Sequence, residues 1–210
     1  MQLNEFKIRC SAIGLIMTEP RSKSETLSQT CISYLEQWVK EQLYNTKKQI
    51  NSKYLTKGNE VEIEAIEYYA EVKDLGFVLK NQDYFENYFI TGTPDLITNG
   101  VVYDFKSSWD CFTFPLFETK VDKNYEAQLQ GYMALTGLKK AKLVYTLQNT
   151  PDELQWDEPI DYSIYPDTLR IKEFEIDFDA EFIERVNNRV IECRNYININ
   201  LQIKWATTRI

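Results

Sequence analysis

Two aspartates and a lysine lie close together in the stretch Ile90–Ser108, ITGTPDLITNGVVYDFKSS. Asp95 follows a Thr-Pro turn, whereas Asp104 and Lys106 end a run rich in β-forming residues. The Asn-Gly pair at 99–100 between them predicts a hairpin. Side chains alternate along a strand, so Asp104 and Lys106 share one face, and Asp95 faces them near the start of the preceding strand.

These side chains suit a divalent metal better than a hydrophobic core. Mg²⁺ and Mn²⁺ prefer hard oxygen donors such as Asp95, Asp104 and the backbone carbonyl of Phe105, and they bind phosphates. One or two such ions would polarise a phosphate and lower the pKa of bound water. Lys106 would act either as the base or orienting group for that water, or as a stabiliser of transition-state charge. The residues therefore predict metal-dependent phosphodiester cleavage.

A helix predicted before the hairpin supplies another carboxylate. The segment that begins at Gly58, GNEVEIEAIEYYAEV, has the apolar period of a helix. Glu62 lies near its apolar stripe. Because charged helix residues are usually exposed, Glu62 is either an ion-paired residue at the rim or a functional carboxylate turned inward.

A second helix is predicted after the hairpin, with Asp122 as its N-cap and Gly137 just past its end. Gln128 and Tyr132 are spaced to share one face of it. They are either part of an ordinary polar flank or contacts to a substrate.

Two further regions have polar residues with two possible uses. Ser11 is either the N-cap of the short apolar helix that follows it or a phosphate contact at a helix N-terminus. A group of lysines in the polar segment around residue 50 is either a solvated face or a nucleic-acid patch: Lys47, Lys48, Lys53 and Lys57.

The chain as a whole has the size and pattern of one α/β (α+β) domain spanning residues 1–210. Its 210 residues, 43% of them hydrophobic and 27% charged, are enough for a substantial core. Helical periods cover 24–45, 58–72, 122–137 and the region after 179. Strand patterns cover 77–81, 84–91, 141–149 and 170–178.

Charge and composition exclude several classes of protein. The net charge of −8 argues against a nonspecific DNA-coating protein, although it allows a nucleic-acid enzyme with a local basic groove. The chain has no histidine and four scattered cysteines, which disfavours zinc fingers and histidine-dependent triads. No apolar signal or membrane-spanning stretch is present, so we expect a cytoplasmic protein, in the host cell if a phage encodes it.

Several of these motifs resemble those of the PD-(D/E)XK nuclease superfamily. The stretch TPDLITNGVVYDFK contains the Pro-Asp and Asp-x-Lys elements, and GNEVE resembles the Gly-x-x-x-Glu helix of the lambda-exonuclease-like, YqaJ-like viral recombinase branch. QLQGY matches a Gln-x-x-x-Tyr helix, and IRCSAIGLIM is similar to an N-terminal serine segment of that branch. The resemblance extends from about residue 9 to residue 132.

The resemblance implies a fold, an activity and partners. It implies a restriction-endonuclease-like central mixed β-sheet flanked by helices, and a Mg²⁺-dependent exonuclease that digests linear duplex DNA from 5′ ends in recombination. It also implies a ring-shaped trimer that works beside a single-strand annealing protein. The roles implied for this chain are metal ligands at Glu62, Asp95 and Asp104, a catalytic Lys106, and DNA or phosphate contacts at Ser11, Thr93, Gln128 and Tyr132.

The chain departs from that branch near its N-terminus. Asn4 stands where an arginine is expected, so Arg9 would have to replace it in binding the 5′-phosphate. Two alternatives to the exonuclease remain at this point. One is a structure-specific or restriction-type endonuclease on the same fold, and the other is a catalytically silent DNA-binding relative.

Overall fold

The computed structural model describes residues 4–49, 52–154 and 160–201. The helices are α1 (Ile13–Ile16), α2 (Gln29–Leu43), α3 (Lys53–Val72), α4 (Lys123–Thr136) and α5 (Ala180–Tyr196). The strands are β1 (Ile8–Arg9), β2 (Phe85–Glu86), β3 (Ile90–Gly92), β4 (Leu96–Thr98), β5 (Val101–Ser107), β6 (Lys140–Thr146) and β7 (Ile171–Asp177). Single 3₁₀ turns occur at Cys10–Ala12, Asp152–Leu154, Tyr162–Ile164 and Asp167–Leu169, and a π-helical turn at Ile197–Leu201.

A mixed sheet in the order β4-β5-β6-β7 forms the centre of the fold. The pairs β4–β5 and β6–β7 are antiparallel, whereas β5 and β6 are parallel and are joined through α4. The β4–β5 turn has positive φ at both Asn99 and Gly100, as the Asn-Gly pair predicts. This sheet confirms the expected fold class, a mixed β-sheet flanked by helices.

The two faces of the central sheet pack against different helices. On one face, Tyr103, Phe105 and Val144 contact α3 in a cluster with Tyr69 and Ile66. On the other face, alternate strand residues join the larger core with apolar residues of α1, α2, α4 and α5. Because side chains alternate along β5, Asp104 and Lys106 lie on the α4 side.

A smaller sheet holds the N-terminal segment beside the site. β3 lies between β1, which is parallel to it, and β2, which is antiparallel. These strands are two or three residues long, too short to leave a periodic pattern in the sequence. The segment 77–81, predicted as a strand, has no strand structure, and only parts of 84–91 pair.

Two helices begin at positions other than those the sequence suggests. The second helix was expected from residue 24, but α2 is capped by Ser28, whose Oγ accepts from the Cys31 N–H. The third was expected from Gly58, but α3 starts earlier, with Ser52 as its cap. Gly58 lies inside the helix in open space, so a glycine that looked like a boundary is only a weak helix position.

The ends of α4 follow the prediction. Asp122 accepts a hydrogen bond from the Asn124 N–H, and Gly137 has the left-handed φ of 75° typical of a helix C-terminus. Within the described ranges, no helix combines the length and apolar character needed to cross a membrane. Part of the irregular segment expected at 152–167, residues 155–159, lies outside the described residues.

Candidate active site

Asp95 and Asp104 meet at the open end of the β4–β5 hairpin. Leu96 pairs with Tyr103, so the next position along the ladder sets Asp95 opposite Asp104. Asp95 Oδ2 accepts a hydrogen bond from the Phe105 N–H at 2.6 Å. Asp104 is 1% exposed. The hairpin therefore positions both carboxylates as the sequence predicted.

Burial makes both carboxylates harder to ionise. Burial, with the charge of Asp104 added, raises the pKa of Asp95 to about 8, although the Phe105 N–H and Lys106 oppose the shift. Burial also raises the pKa of Asp104, and Glu62 adds to that shift. A cation between these groups would remove the repulsion.

Lys106 lies directly beside this pair. Its Nζ is 2.6 Å from Asp104 Oδ2 and 4.9 Å from the centre of the Tyr125 ring. Burial acts to lower the pKa of Lys106, but Asp104 and Asp95 outweigh it and leave the pKa raised. The side chain is therefore a charged ammonium at a site mouth, 26% exposed.

Gln128 and Tyr132 extend from α4 into the same site. Gln128 Nε2 donates to Asp104 Oδ1 at 2.8 Å and to the Tyr132 hydroxyl at 2.9 Å. Gln128 is 7% exposed and Tyr132 5%. Here Gln128 orients a carboxylate, and its expected contact with DNA or a terminal phosphate remains a prediction.

Glu62 is the carboxylate of α3 that turns inward. Among the glutamates of α3, a helix described over its whole length, Glu62 is half-buried while Glu60, Glu64, Glu67 and Glu71 are exposed. It forms an ion pair with Lys80. The sequence allowed two roles for Glu62, an ion-paired residue at the rim or a functional carboxylate. The structure shows the ion pair, and it places Glu62 near enough for its charge to raise the pKa values of Asp95 and Asp104.

The candidate phosphate contacts leave the small sheet at one edge. β1 and β3 are parallel, with Arg9 opposite Thr91, so Ser11 and Thr93 emerge side by side just beyond them. Arg9, Ser11 and Thr93 are all exposed. Ser11 does not cap α1, whose N-cap is Ala12, so the structural explanation of this serine was wrong.

This edge adjoins Tyr132 through a close approach at Gly92. A Cβ built at Gly92 would lie 2.7 Å from Cys10 Sγ and 2.8 Å from Tyr132 Cε1. A larger residue there would push the serine segment away from α4. The structure thus brings the segments that carry Ser11 and Thr93 close to Tyr132.

The donor set fits a hard divalent cation. Asp104 Oδ2 is buried, and apart from its ion pair with Lys106 it has no regular hydrogen bond among the described residues. Two adjacent carboxylates with raised pKa values are what Mg²⁺ or Mn²⁺ would stabilise. In the described ranges, no group of three acidic or thiol side chains could hold a metal ion, and Glu62 is paired with Lys80.

Sequence reasoning missed residues that act through distant partners. Asn81 binds the loop before β4, donating from its N–H to the Asp95 carbonyl at 2.8 Å and from Nδ2 to the Pro94 carbonyl at 2.9 Å. Lys80, next to it, reaches Glu62. No local pattern marks either residue, because their partners are near only in the folded chain.

The predicted lysine patch is wrong for one of its members. Lys57 was grouped with solvated or nucleic-acid-binding lysines, but it is fully buried, with 0% of its surface exposed. Its Nζ donates to three backbone carbonyls, those of Ser108, Trp109 and Gln148, at 2.8–2.9 Å. Lys47, Lys48 and Lys53 are exposed.

Comparisons by sequence give no match. No protein-family model matches the chain. No curated protein sequence matches it significantly.

Comparisons with solved structures do give matches. The phage-related exonuclease from Haemophilus somnus 129PT matches with a TM-score of 0.86 and 30% identity, over 96% of this chain and 97% of that chain. The alkaline exonuclease LHK-Exo from Laribacter hongkongensis matches with a TM-score of 0.72 and 17% identity, over 96% and 93%. LHK-Exo in complex with dAMP matches with a TM-score of 0.69 and 20% identity, over 96% of this chain and 94% of that chain.

The two LHK-Exo structures establish the shared fold, and the Haemophilus protein adds sequence identity along nearly the full length of both chains. The paired aspartates and the lysine of the β4–β5 hairpin occupy the positions that the sequence motif predicts. This chain belongs to the phage-related exonucleases, in the lambda-exonuclease-like (YqaJ-like) branch of the PD-(D/E)XK nucleases.

Proposed function

We propose that the protein is a Mg²⁺- or Mn²⁺-dependent exonuclease that degrades linear duplex DNA from its ends during phage-type recombination. The observation that carries the proposal is the opposed Asp95–Asp104 pair with the Lys106 ammonium 2.6 Å from Asp104. The family relationship supports the exonuclease over an endonuclease, since the matched structures are exonucleases.

Different residues of the site would bind the cation, stabilise the transition state and orient the metal ligands. Asp95, Asp104 and the Phe105 carbonyl would hold the cation, and Glu62 would join them by leaving Lys80. A bound Mg²⁺ or Mn²⁺ would supply Lewis-acid stabilisation of the scissile phosphate and a lower pKa for water. Lys106, charged and beside the carboxylates, would stabilise the negative charge that develops on the phosphate. Gln128 fixes the orientation of Asp104.

A single plasmid provides the test of this function. Closed circular duplex and the same plasmid cut once are incubated with the protein and Mg²⁺, and released nucleotides are measured. The proposal expects release from the cut form alone. Cleavage of the closed circle would instead favour the endonuclease. The absence of any cleavage with Mg²⁺ or Mn²⁺ would end the enzyme proposal.

Replacing Lys106 should abolish most of the activity. We expect Lys106→Ala to reduce cleavage of linear duplex by about 100-fold or more, the usual contribution of a positioned catalytic group. The matched control is Lys142→Ala, because Lys142 is 21% exposed on neighbouring β6 and pairs with Glu173 and Glu175 on β7. Comparable activity in the two variants would contradict the role given to Lys106.

We also propose that digestion runs 5′→3′, and the support for this direction is the edge formed by Ser11 and Thr93. These hydroxyls, together with Arg9, Gln128 and Tyr132, would bind a 5′-terminal phosphate. We expect Thr93→Val to reduce the preference for 5′-phosphate over 5′-hydroxyl ends by about tenfold, the equivalent of one hydrogen bond to a charged group. Initial rates on the two kinds of end provide the measurement, and an unchanged preference would remove Thr93 from the phosphate site.

The proposed assembly is a ring trimer that works beside a single-strand annealing protein. Sedimentation equilibrium should then give about three times the 24.8 kDa mass of one chain. A monomer at the concentrations where the enzyme is active would refute the ring. Co-sedimentation with a candidate annealing protein would test the second partner.

A further inference from the structure

Lys57 forms a polar link between the three elements that lead into the active site. It lies in the second turn of α3, is fully buried, and donates to the carbonyls of Ser108, Trp109 and Gln148. Ser108 and Trp109 directly follow β5, and Gln148 lies just beyond β6. One ammonium thus satisfies carbonyls that lie past the end of the β5–β6 ladder.

The match between donors and acceptors argues for a specific role. An ammonium has three N–H donors, and Lys57 places one on each of three carbonyls at 2.8–2.9 Å. Burial lowers its pKa to about 8, although the charges of Asp110 and Glu64 partly oppose the shift. Among the described residues Lys57 forms no ion pair with a carboxylate. A buried cation of this kind is costly, so its retention needs a reason other than simple packing.

The position of Lys57 relative to Glu62 indicates that reason. The apolar cluster that packs α3 on the sheet consists, on the helix side, of Ala65, Ile66 and Tyr69, all C-terminal to Glu62. On the N-terminal side of Glu62, Val61 is buried next to it, and Lys57, about one turn earlier, provides the buried polar attachment. Glu62 therefore lies between two anchors, one apolar and one polar.

The attachment also reaches the strand that carries the chemistry. Ser108 lies two residues after Lys106, directly beyond the end of β5, and its N–H donates to the Thr146 carbonyl at 2.9 Å. Lys57 thus fixes the distance between the N-terminal half of α3 and the end of β5. We propose that Lys57 is a positioning residue that sets Glu62 over Asp95 and Asp104, so that the three carboxylates can bind one divalent cation.

This inference rests on the proposed function, because it assumes that the carboxylates bind a metal. The main test is a calorimetric titration of Mn²⁺ into the protein alone, without DNA, for wild type and for Lys57→Met. Methionine keeps the apolar stem and removes the ammonium. We expect Mn²⁺ to bind Lys57→Met about tenfold more weakly or worse, the usual effect of losing a group that orients metal ligands.

The matched control is Lys73→Met at the C-cap of α3. Lys73 is also an ammonium on this helix, but it pairs with Glu173 at the surface, beyond the Tyr69 anchor. Its replacement should leave the Mn²⁺ affinity unchanged. The Mg²⁺ concentration for half-maximal cleavage of linear duplex should rise for Lys57→Met and not for Lys73→Met.

The outcomes separate this inference from the proposed function. If wild type binds Mn²⁺ and folded Lys57→Met binds it equally well, even with a lower melting temperature, Lys57 is only structural and the inference is overturned. If wild type neither binds Mn²⁺ nor cleaves with Mg²⁺, the proposed function fails and the inference fails with it. If Lys57→Met does not fold, Lys57→Arg decides, since its longer donor group should displace α3. Weaker Mn²⁺ binding in that variant supports the inference, and wild-type affinity overturns it.

Discussion

Burying the ionised Asp104 carboxylate is unfavourable for the free energy of folding. It is almost fully buried, faces Asp95, and has one charged partner in Lys106 and one amide partner in Gln128. The pKa values of both aspartates are raised, so each carboxylate is easier to protonate than in the unfolded chain. The site is therefore arranged for a positive charge greater than that of Lys106 alone.

The metal-free protein should lose stability as the pH rises across the range where these aspartates ionise. Asp95 has a folded pKa of about 8 against 3.8 for an ordinary aspartate, and the coupled pair titrates together. Between these values the folded state binds more protons than the unfolded state, so raising the pH favours unfolding. Melting temperatures of wild type and Asp95→Asn, both with chelator, check this between pH 5 and 8.

Asp95→Asn is the internal control for that titration. It keeps an acceptor for the Phe105 N–H and removes the charge. The melting temperature of wild type relative to Asp95→Asn should fall as the pH rises, and added Mg²⁺ should stabilise wild type more at pH 8 than at pH 6. A relative melting temperature that stays level across the range would contradict the raised pKa of Asp95.

For individual residues, the sequence predicted the position of those whose partners are close in the chain. Asp95, Asp104 and Lys106 lie on one hairpin, so spacing and alternation suffice to bring them together. Lys57 was misread as a surface lysine because its acceptors are backbone carbonyls as far as 91 positions away. Every residue has a backbone carbonyl, so the sequence does not show which carbonyls a lysine will bind. The contacts of Asn81 with backbone carbonyls could not be predicted for the same reason.

At the scale of elements, α4 is the helix on which the site depends most. It joins the parallel strands β5 and β6, carries Gln128 and Tyr132, and packs closely on the turn at Cys10–Ala12. Its caps were predictable because Asp122 and Gly137 are strong local signals. The start of α3 was not, because the Ser52 cap lies in a polar segment with no apolar period.

Enlarging Gly131 should separate α4 from the N-terminal turn. A Cβ there would lie 2.6 Å from Ile13 Cδ1 and 2.8 Å from Cys10 Sγ. We expect Gly131→Ala to reduce the free energy of unfolding by about 1–3 kcal/mol, as overpacking does. Cleavage should also fall, because a shift of α4 moves Gln128 away from Asp104. Denaturant unfolding and nuclease rates measure the two effects.

Gly58→Ala is the matched control on the other flanking helix. Nothing lies within 4 Å of the Cβ position at Gly58, so alanine should be neutral there or stabilise α3 by up to about 1 kcal/mol. If Gly131→Ala proved as stable as Gly58→Ala, that result would contradict the close packing of α4 against Cys10.

At the scale of the whole molecule, α5 binds the N-terminal segment to the small sheet. Arg194 Nε donates to the Phe6 carbonyl at 2.9 Å and Nη2 to the Tyr88 carbonyl at 2.6 Å, and Nη1 lies 3.0 Å from Glu5. Cys193, next to it, places its buried Sγ 3.6 Å from Cys31 Sγ on α2. The sequence predicted α5 but not these partners, since the short strands they join have no readable pattern.

Removing the guanidinium of Arg194 should loosen this connection. We expect Arg194→Met to reduce the free energy of unfolding by about 1.5–3 kcal/mol, the range for hydrogen bonds to a charged group. Arg185→Met, on the exposed side of the same helix, is the control and should change it by less than about 0.5 kcal/mol. Equal effects in urea unfolding would show that Arg194 does not hold the segments together.

The bond between Arg194 and Phe6 has a consequence for synthesis of the protein. The two residues are 188 positions apart, and a ribosome adding about 5–20 residues per second needs on the order of 10–40 s to cover that distance. During that time Phe6, Ile8, Ile13 and Ile16, all buried in the finished protein, lack the cover of α5. We therefore expect this apolar segment to be accessible to chaperones until α5 has been synthesised.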